Sequence, residues 1–208
     1  MVEKCYCCNK DAISREHIPP KCIFPDPRPS NMITMPSCDK HNLEKSKDDE
    51  YFRWFIVTAC AEKSPLAYKL LKGKVIRGLR RSPALLNMIM QGAIKDIDVY
   101  SKGGIWLGRR PGFKYDKNRI LRIIKLLCKG LYYYHFNKRI INIHKFALEF
   151  NPDLDKNAID EITSLKLYNI GKGDVFSYRY YRKNIDDKDT CLWFLMFYNS
   201  FLVNCVIC

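Results

Sequence analysis

The sequence predicts an α+β protein with a small N-terminal module, residues 1–62, and a larger, mostly helical region, residues 63–208, that ends in a β-hairpin or small antiparallel sheet. Three observations support this fold class. Six of the ten prolines lie at or before Pro36, so the first segment is loop-rich and needs a staple other than a hydrophobic core. Apolar residues recur at helical spacing over residues 117–131. The last 17 residues are almost wholly apolar.

The N-terminal module is predicted to contain a short hairpin over about residues 12–36, because proline-dense sequence cannot be helical. A helix is expected to begin near Asp39, directly after Cys38. The acidic residues 48–50 suit the N-terminus of a further helix, because that end of the helix dipole favours negative charge.

The larger region is predicted to mix helices and strands. Short helices punctuated by proline and glycine are expected over residues 65–91, and two strands with a tight turn over residues 96–115. Asp116 is expected to cap an amphipathic helix, and another helix is predicted over residues 152–167. Asn199 and Ser200 interrupt the final apolar run, which is short for a bilayer span, so a buried hairpin turning there is favoured over a membrane helix.

The net charge of +14 is distributed unevenly. Residues 1–50 contain eight Lys/Arg and nine Asp/Glu, so residues 51–208 carry a net charge of +15. Such a charge attracts polyanions, nucleic acid before an anionic membrane, with a solvated lysine-rich surface as the alternative. A charged helix face is often only solvated, but the basic face of the helix after Asp116 also offers candidate phosphate contacts: Arg119, Arg122 and Lys125.

Ten cysteines could form a disulfide framework, but the chain is longer than the usual disulfide-dense domain and opens without an apolar segment of the signal-peptide kind. Five of the cysteines lie in apolar or amphipathic runs, where cysteine behaves as a small hydrophobe. A reducing, cytoplasmic compartment and no membrane partner are therefore expected.

Two pairs of metal-ligating residues bracket the proline-rich segment. Cys5 and Cys8 form a C-x₂-C pair, and Cys38 and His41 form a C-x₂-H pair about thirty residues later. Such pairs can hold a tetrahedral Zn²⁺ that closes a unit too small for its own core. Four protein ligands leave no open position, so the predicted zinc is structural. Cys7 competes with Cys8 as a ligand, because C-x-C also occurs here.

The dipeptide Glu16-His17 lies between these two pairs. A lone histidine is more often structural than catalytic, so its context decides the interpretation. The context consists of residues in a fixed order along the chain: Glu16-His17-Ile18-Pro19, Asn31, Cys38-x₂-His41-Asn42 and Lys45. Over residues 5–49 the sequence resembles the HNH nucleases, the ββα-metal endonucleases, in the form stapled by a zinc-binding pair on each side.

The resemblance implies a role for each matching position. His17 matches the general base that activates water, and Glu16 matches the neighbouring metal ligand, which is usually Asp. Asn31 matches the asparagine that pins the loop orienting the base, at a spacing slightly longer than usual. Asn42 stands where the residue completing the metal site comes from the helix. Lys45 resembles a basic residue one turn later and is a candidate phosphate contact.

The function expected from the resemblance is hydrolysis of DNA phosphodiester bonds with Mg²⁺ or Mn²⁺, and RNA is not excluded as a substrate. A carboxylate and an amide oxygen are hard ligands that suit such ions. Two alternatives remain. The chain could be a zinc-stapled binding module without catalysis, or a nuclease effector of a restriction or phage-defence system. Such an effector would be gated by a partner, either a second copy in a homodimer or a separate regulatory chain.

Overall fold

The computed structural model describes residues 2–101, 103–143, 145–185 and 188–207. Its first elements are two antiparallel strands, β1 (Ser14–Ile18) and β2 (Ile33–Ser37), which pair Ser14 with Ser37. A single 3-10 turn follows at Asp39–His41, and α1 runs over Ser46–Cys60. The hairpin predicted for this segment is confirmed. The helix expected near Asp39 is one turn there, and regular α-helix begins seven residues later, at Ser46.

A helical segment and a protruding hairpin come next. The helices are α2 (Pro65–Leu70), α3 (Ile76–Arg81) and α4 (Pro83–Gln91), with a π-helical turn over Leu71–Val75. The antiparallel strands β3 (Ala93–Tyr100) and β4 (Trp106–Phe113) follow and form a two-stranded sheet. Both predictions for this part of the chain, short helices and then two strands, are confirmed.

The longest helix, α5 (Lys117–Phe136), begins at Asp116, whose side chain accepts from the backbone N–H groups of Asn118 and Arg119. This confirms the predicted cap. The remaining elements are β5 (Phe146–Phe150), α6 (Lys156–Ser164), β6 (Tyr168–Ile170), β7 (Phe176–Ile185), β8 (Lys188–Phe197) and β9 (Phe201–Ile207).

The five C-terminal strands form one antiparallel sheet in the order β5-β9-β8-β7-β6. Its last hairpin turns at residues 198–200, where Tyr198 and Asn199 adopt positive φ angles of 50° and 51°. The α+β class, the small C-terminal antiparallel sheet and the position of this turn are as the sequence predicts. No helix in the described part of the chain is long and apolar enough to cross a bilayer.

The core lies between the C-terminal sheet, α1 and α5. Alternate residues of β9 are buried, and Phe52 of α1 packs edge-on against Phe197 with 5.7 Å between ring centroids. At Gly130 of α5 an added Cβ would lie 2.6 Å from the side chain of Ile18, so α5 packs directly against β1. One hydrophobic cluster includes residues of both predicted domains, and the boundary near residue 62 stays a prediction.

Candidate metal cluster and adjoining cleft

Four residues that lie before β1 and after β2 form a compact cluster. The ligand atoms of Cys5, Cys8, Cys38 and His41 all lie within 4.8 Å of one another. The Nδ1 atom of His41 is 3.4 Å from the Sγ atoms of both Cys5 and Cys38. The N–H of Tyr6 donates to the carbonyl of Pro36 over 2.9 Å and so holds the N-terminal segment beside β2.

This Cys₃His set could hold a structural metal such as zinc, because it offers four soft or borderline ligands and no open position. The cluster contains Cys8, whose Sγ is 3.8 Å from that of Cys38. Cys7 is outside the cluster and buried, and burial raises its pKa to about 12. Burial opposes ionisation of Cys5 as well, but hydrogen bonds from Cys7 and Cys38 outweigh it and lower its pKa. The geometry therefore separates two cysteines that the sequence leaves as alternatives.

The module also has a cleft of about 520 Å³ beside the cluster. Glu16 and His17 of β1 line it, together with Asn42, the residue directly after His41. Its wall opposite β1 comes from the first turns of α1. The dipeptide Glu16-His17 and Asn42 thus reach one concave surface although they are 25 residues apart in sequence.

Glu16 belongs to a group of three charges, in which Glu16 and Lys45 are buried and Asp49 is partly exposed. Lys45 lies 2.8 Å from Glu16 Oε1 and 2.5 Å from Asp49 Oδ1, and the side chain of Lys45 is only 4% exposed. Burial raises the pKa of Glu16 to about 7 although the lysine opposes the shift. The ammonium of Lys45 therefore faces two carboxylates, and its predicted contact with phosphate remains a prediction.

His17 is half-buried on the strand that pairs with β2. Burial and the nearby charges of Lys21 and Arg28 lower its pKa, which favours the neutral form of the imidazole. Within the described residues, no hydrogen bond engages its ring. The neutral ring has an acceptor nitrogen available to the cleft.

Asn42 is positioned by its amide group. Its Nδ2 donates to Ser14 Oγ over 2.8 Å and to the carbonyl of Arg15 over 3.3 Å. Both N–H bonds of the amide thus point to β1, and Oδ1 is the amide atom that remains able to bind a ligand in the cleft.

Asn31 is not brought to this cleft. Its Nδ2 donates to the carbonyl of Asn169 and its Oδ1 accepts from the N–H of Gly171 over 2.7 Å. The side chain therefore joins the β1–β2 connection to the turn after β6. In this position it supports the fold, and none of the contacts among the described residues joins it to the imidazole of His17.

The three predicted basic contacts on α5 also have protein partners. Arg119 and Arg122 each donate to Asp48 over 2.7 Å, and the guanidinium of Arg119 lies 4.4 Å from the centroid of the Tyr51 ring. The ammonium of Lys125 lies 4.9 Å from the Phe146 ring centroid. These contacts tie α5 to α1 and β5, and the predicted contacts with nucleic acid stay untested.

The cleft includes residues that the sequence reasoning did not single out. Asp49, Arg53 and Lys21 line it beside Glu16 and His17. The spacing of Lys45 and Asp49, four residues apart, is the signal that could have paired them on one helix face. Nothing in the sequence pattern relates Lys21, which lies in a short 3-10 turn, to the cleft.

Comparisons of the chain with protein-family models, with curated proteins and with solved structures found no match. The family suggested by the motif is therefore an interpretation of this chain's own residues. What is established is a Cys₃His cluster that could hold a metal, with a polar cleft beside it.

Proposed function

We propose that the protein is a metal-dependent endonuclease of the HNH type that hydrolyses phosphodiester bonds in DNA. One observation carries the proposal: Glu16, His17 and Asn42 line the same cleft, and Asn42 directly follows a residue of the metal cluster. The order of elements around the cleft, strand, strand and helix, is the one that the motif resemblance implies.

The donor chemistry of the cleft fits a catalytic Mg²⁺ or Mn²⁺. The Glu16 carboxylate and the Asn42 Oδ1 atom are hard oxygen ligands of the type these ions prefer. Such an ion, when bound, would polarise the phosphate and stabilise the leaving oxygen. Lys45 already neutralises part of the charge on Glu16 and Asp49, so the cleft is not an unshielded pair of carboxylates.

The chain's own residues would perform the proton transfer. A water molecule in the cleft loses a proton to the neutral imidazole of His17 as its oxygen bonds to phosphorus. The P–O3′ bond breaks, the 3′ oxygen takes up a proton from a second water molecule, and 5′-phosphate and 3′-hydroxyl ends result. Arg53 and Lys21 also line the cleft and would offset the negative charge of the reacting phosphate.

The test is cleavage of supercoiled plasmid by the full chain with Mg²⁺ or Mn²⁺. We expect His17→Ala to lower the cleavage rate by about 100-fold or more, the usual contribution of a general base. His135→Gln is the matched control, because His135 lies far along the chain in an aromatic cluster and should leave the rate nearly unchanged. Zinc content and circular dichroism establish that both variants are folded. Equal cutting by His17→Ala and the unmodified chain would contradict the assignment.

A second candidate is a zinc-stapled binding module without catalysis. The observation that favours it is the buried ion pair between Glu16 and Lys45, which occupies one oxygen of the proposed metal ligand. The same experiment separates the two candidates. Plasmid that is bound but remains uncut at every divalent-metal concentration would favour the binding module.

A further inference from the structure

The positive charge of the protein is concentrated in one stretch of sequence. Residues 63–115, here called the basic segment, contain 12 Lys/Arg and 2 Asp/Glu, a net charge of +10. Residues 1–62 carry −1 and residues 116–208 carry +5. The basic segment contains α2, the π-helical turn, α3, α4 and the β3–β4 hairpin, and its net charge is twice that of the whole region after it, which includes α5.

The helices of the basic segment present their charges to solvent. Lys69, Arg77, Arg80 and Arg81 are exposed, and within the described residues none of them forms an ion pair. This differs from α5, where Arg119 and Arg122 are bound to Asp48 and hold helices together. Unpaired, exposed cations on short adjoining helices are available to phosphate groups.

The β3–β4 hairpin, here called the arm, extends from the body of the protein. Most of its residues are exposed on both faces, and within the described residues its strands form a separate two-stranded sheet. Large apolar side chains gather near its tip, each more than half exposed: Tyr100, Ile105, Trp106 and Leu107. Exposed aromatic and aliphatic groups on a two-stranded ribbon are unusual in a surface without a partner.

The arm's base is fixed by the same helix that lines the cleft. Trp54 of α1 packs edge-on against Phe113 at the end of β4, with 5.7 Å between ring centroids. One residue earlier, Arg53 lines the cleft, and its guanidinium lies so close to α3 that a Cβ on Gly78 would be 2.6 Å from Nη2. The cleft, α3 and the base of the arm thus all lie beside α1, and a long ligand could contact all three.

We infer that the basic segment is the surface that binds duplex DNA, with the cations of α2 and α3 on the phosphates and the arm in a groove. The inference rests on the proposed nuclease function. Two strands of eight residues extend about 26 Å, and the major groove admits a two-stranded β-ribbon. Charge complementarity selects a polyanion. A duplex is favoured over an anionic membrane because the charge borders the cleft along the helices and is not confined to the apolar tip.

The test measures binding of the full chain to a fluorescent duplex of about 30 base pairs, three helical turns. The His17→Ala background without divalent metal keeps the DNA intact, so binding is separated from cleavage. Arg77→Glu with Arg80→Glu should weaken binding about tenfold or more and lower the salt dependence, the slope of log Kd against log salt, by about two. Lys156→Glu with Lys172→Glu makes the same change in net charge at exposed positions outside the basic segment. This control should leave the slope unchanged.

The arm is tested with Trp106→Ala and with Tyr181→Ala as the control at another exposed aromatic position. Only the Trp106 change should weaken DNA binding. Equal effects of the charge variant and its control, or DNA binding unaffected by Trp106→Ala, would overturn the inference. If Trp106→Ala abolishes binding to phosphatidylserine vesicles and leaves DNA binding unchanged, the arm binds a membrane instead. If it abolishes a dimer in solution and leaves DNA binding unchanged, the arm binds a second copy instead. Intact DNA binding by a chain that never cuts would refute the nuclease proposal and leave this surface standing.

Discussion

The buried charge group in the cleft supports a quantitative prediction on Lys45→Met. Methionine is close to lysine in length but has no charge, so the change removes the ammonium and keeps most of the volume. In the native protein that ammonium is 4% exposed and lies within 2.8 Å of both the Glu16 and the Asp49 carboxylates. Its loss leaves the carboxyl groups of buried Glu16 and partly exposed Asp49 without a counterion.

Breaking a buried ion pair by removing one partner costs about 3 to 5 kcal/mol, because the remaining charge keeps its desolvation penalty. For a chain of 208 residues this corresponds to a fall of roughly 6 to 20 °C in the midpoint of thermal unfolding. The measurement is urea and thermal unfolding at neutral pH, followed by circular dichroism and tryptophan fluorescence on zinc-loaded protein.

The pair Lys4–Asp11 provides a matched control. Its N···O distance of 2.5 Å equals that of Lys45–Asp49, but its side chains are 51% and 54% exposed. Solvent screens an exposed pair, so Lys4→Met should cost less than about 1 kcal/mol. Glu16→Gln combined with Lys45→Met should cost less than the sum of the two single changes, because the double variant leaves one buried charge fewer. Equal costs for Lys45→Met and Lys4→Met, or strict additivity, would refute the reasoning.

Two further predictions concern the metal cluster and the pH dependence of stability. Cys38→Ser should lose about one equivalent of zinc and most folding of the N-terminal module, whereas Cys7→Ser should keep the metal. Metal analysis and circular dichroism measure zinc content and folding in both variants. Zinc loss in both variants would contradict the ligand set. Burial and Lys166 lower the pKa of His135, so its contribution to stability is present above the unfolded value near 6.5 and is lost as pH falls below it. His135→Gln should flatten the rise in unfolding free energy just below about pH 6.5, and identical pH slopes for variant and unmodified protein would refute this.

Local chemistry determines the elements that the sequence predicts correctly. Asp116 caps α5 because its carboxylate accepts two free N–H groups, and the helical spacing of apolar residues then fixes which face is buried. The turn at residues 198–200 follows from polar residues inside an apolar run. Each of these features depends on neighbours within one or two turns of chain, which sequence spacing records.

Long-range partners account for what the sequence leaves open. Cys7 and Cys8 are both close enough to Cys5 in sequence to compete as the ligand, and only the fold turns Cys8 toward Cys38 while Cys7 enters the core. Arg119 and Arg122 belong to a basic helix face that is equally suitable for phosphate or for a carboxylate. Their partner, Asp48, lies more than 70 residues away, so periodicity along α5 contains no information about it.

The turn at His41 and Asn42 connects the two halves of the candidate site. His41 belongs to the metal cluster, and its N–H donates to the carbonyl of Cys38 over 3.1 Å. Asn42 follows it and is held against β1 by its hydrogen bonds to Ser14 and Arg15. A metal that fixes Cys38 and His41 therefore also fixes the backbone from which Asn42 reaches the cleft. Because this one turn carries both His41 and Asn42, the metal cluster would position Asn42 for the proposed chemistry without contacting the DNA.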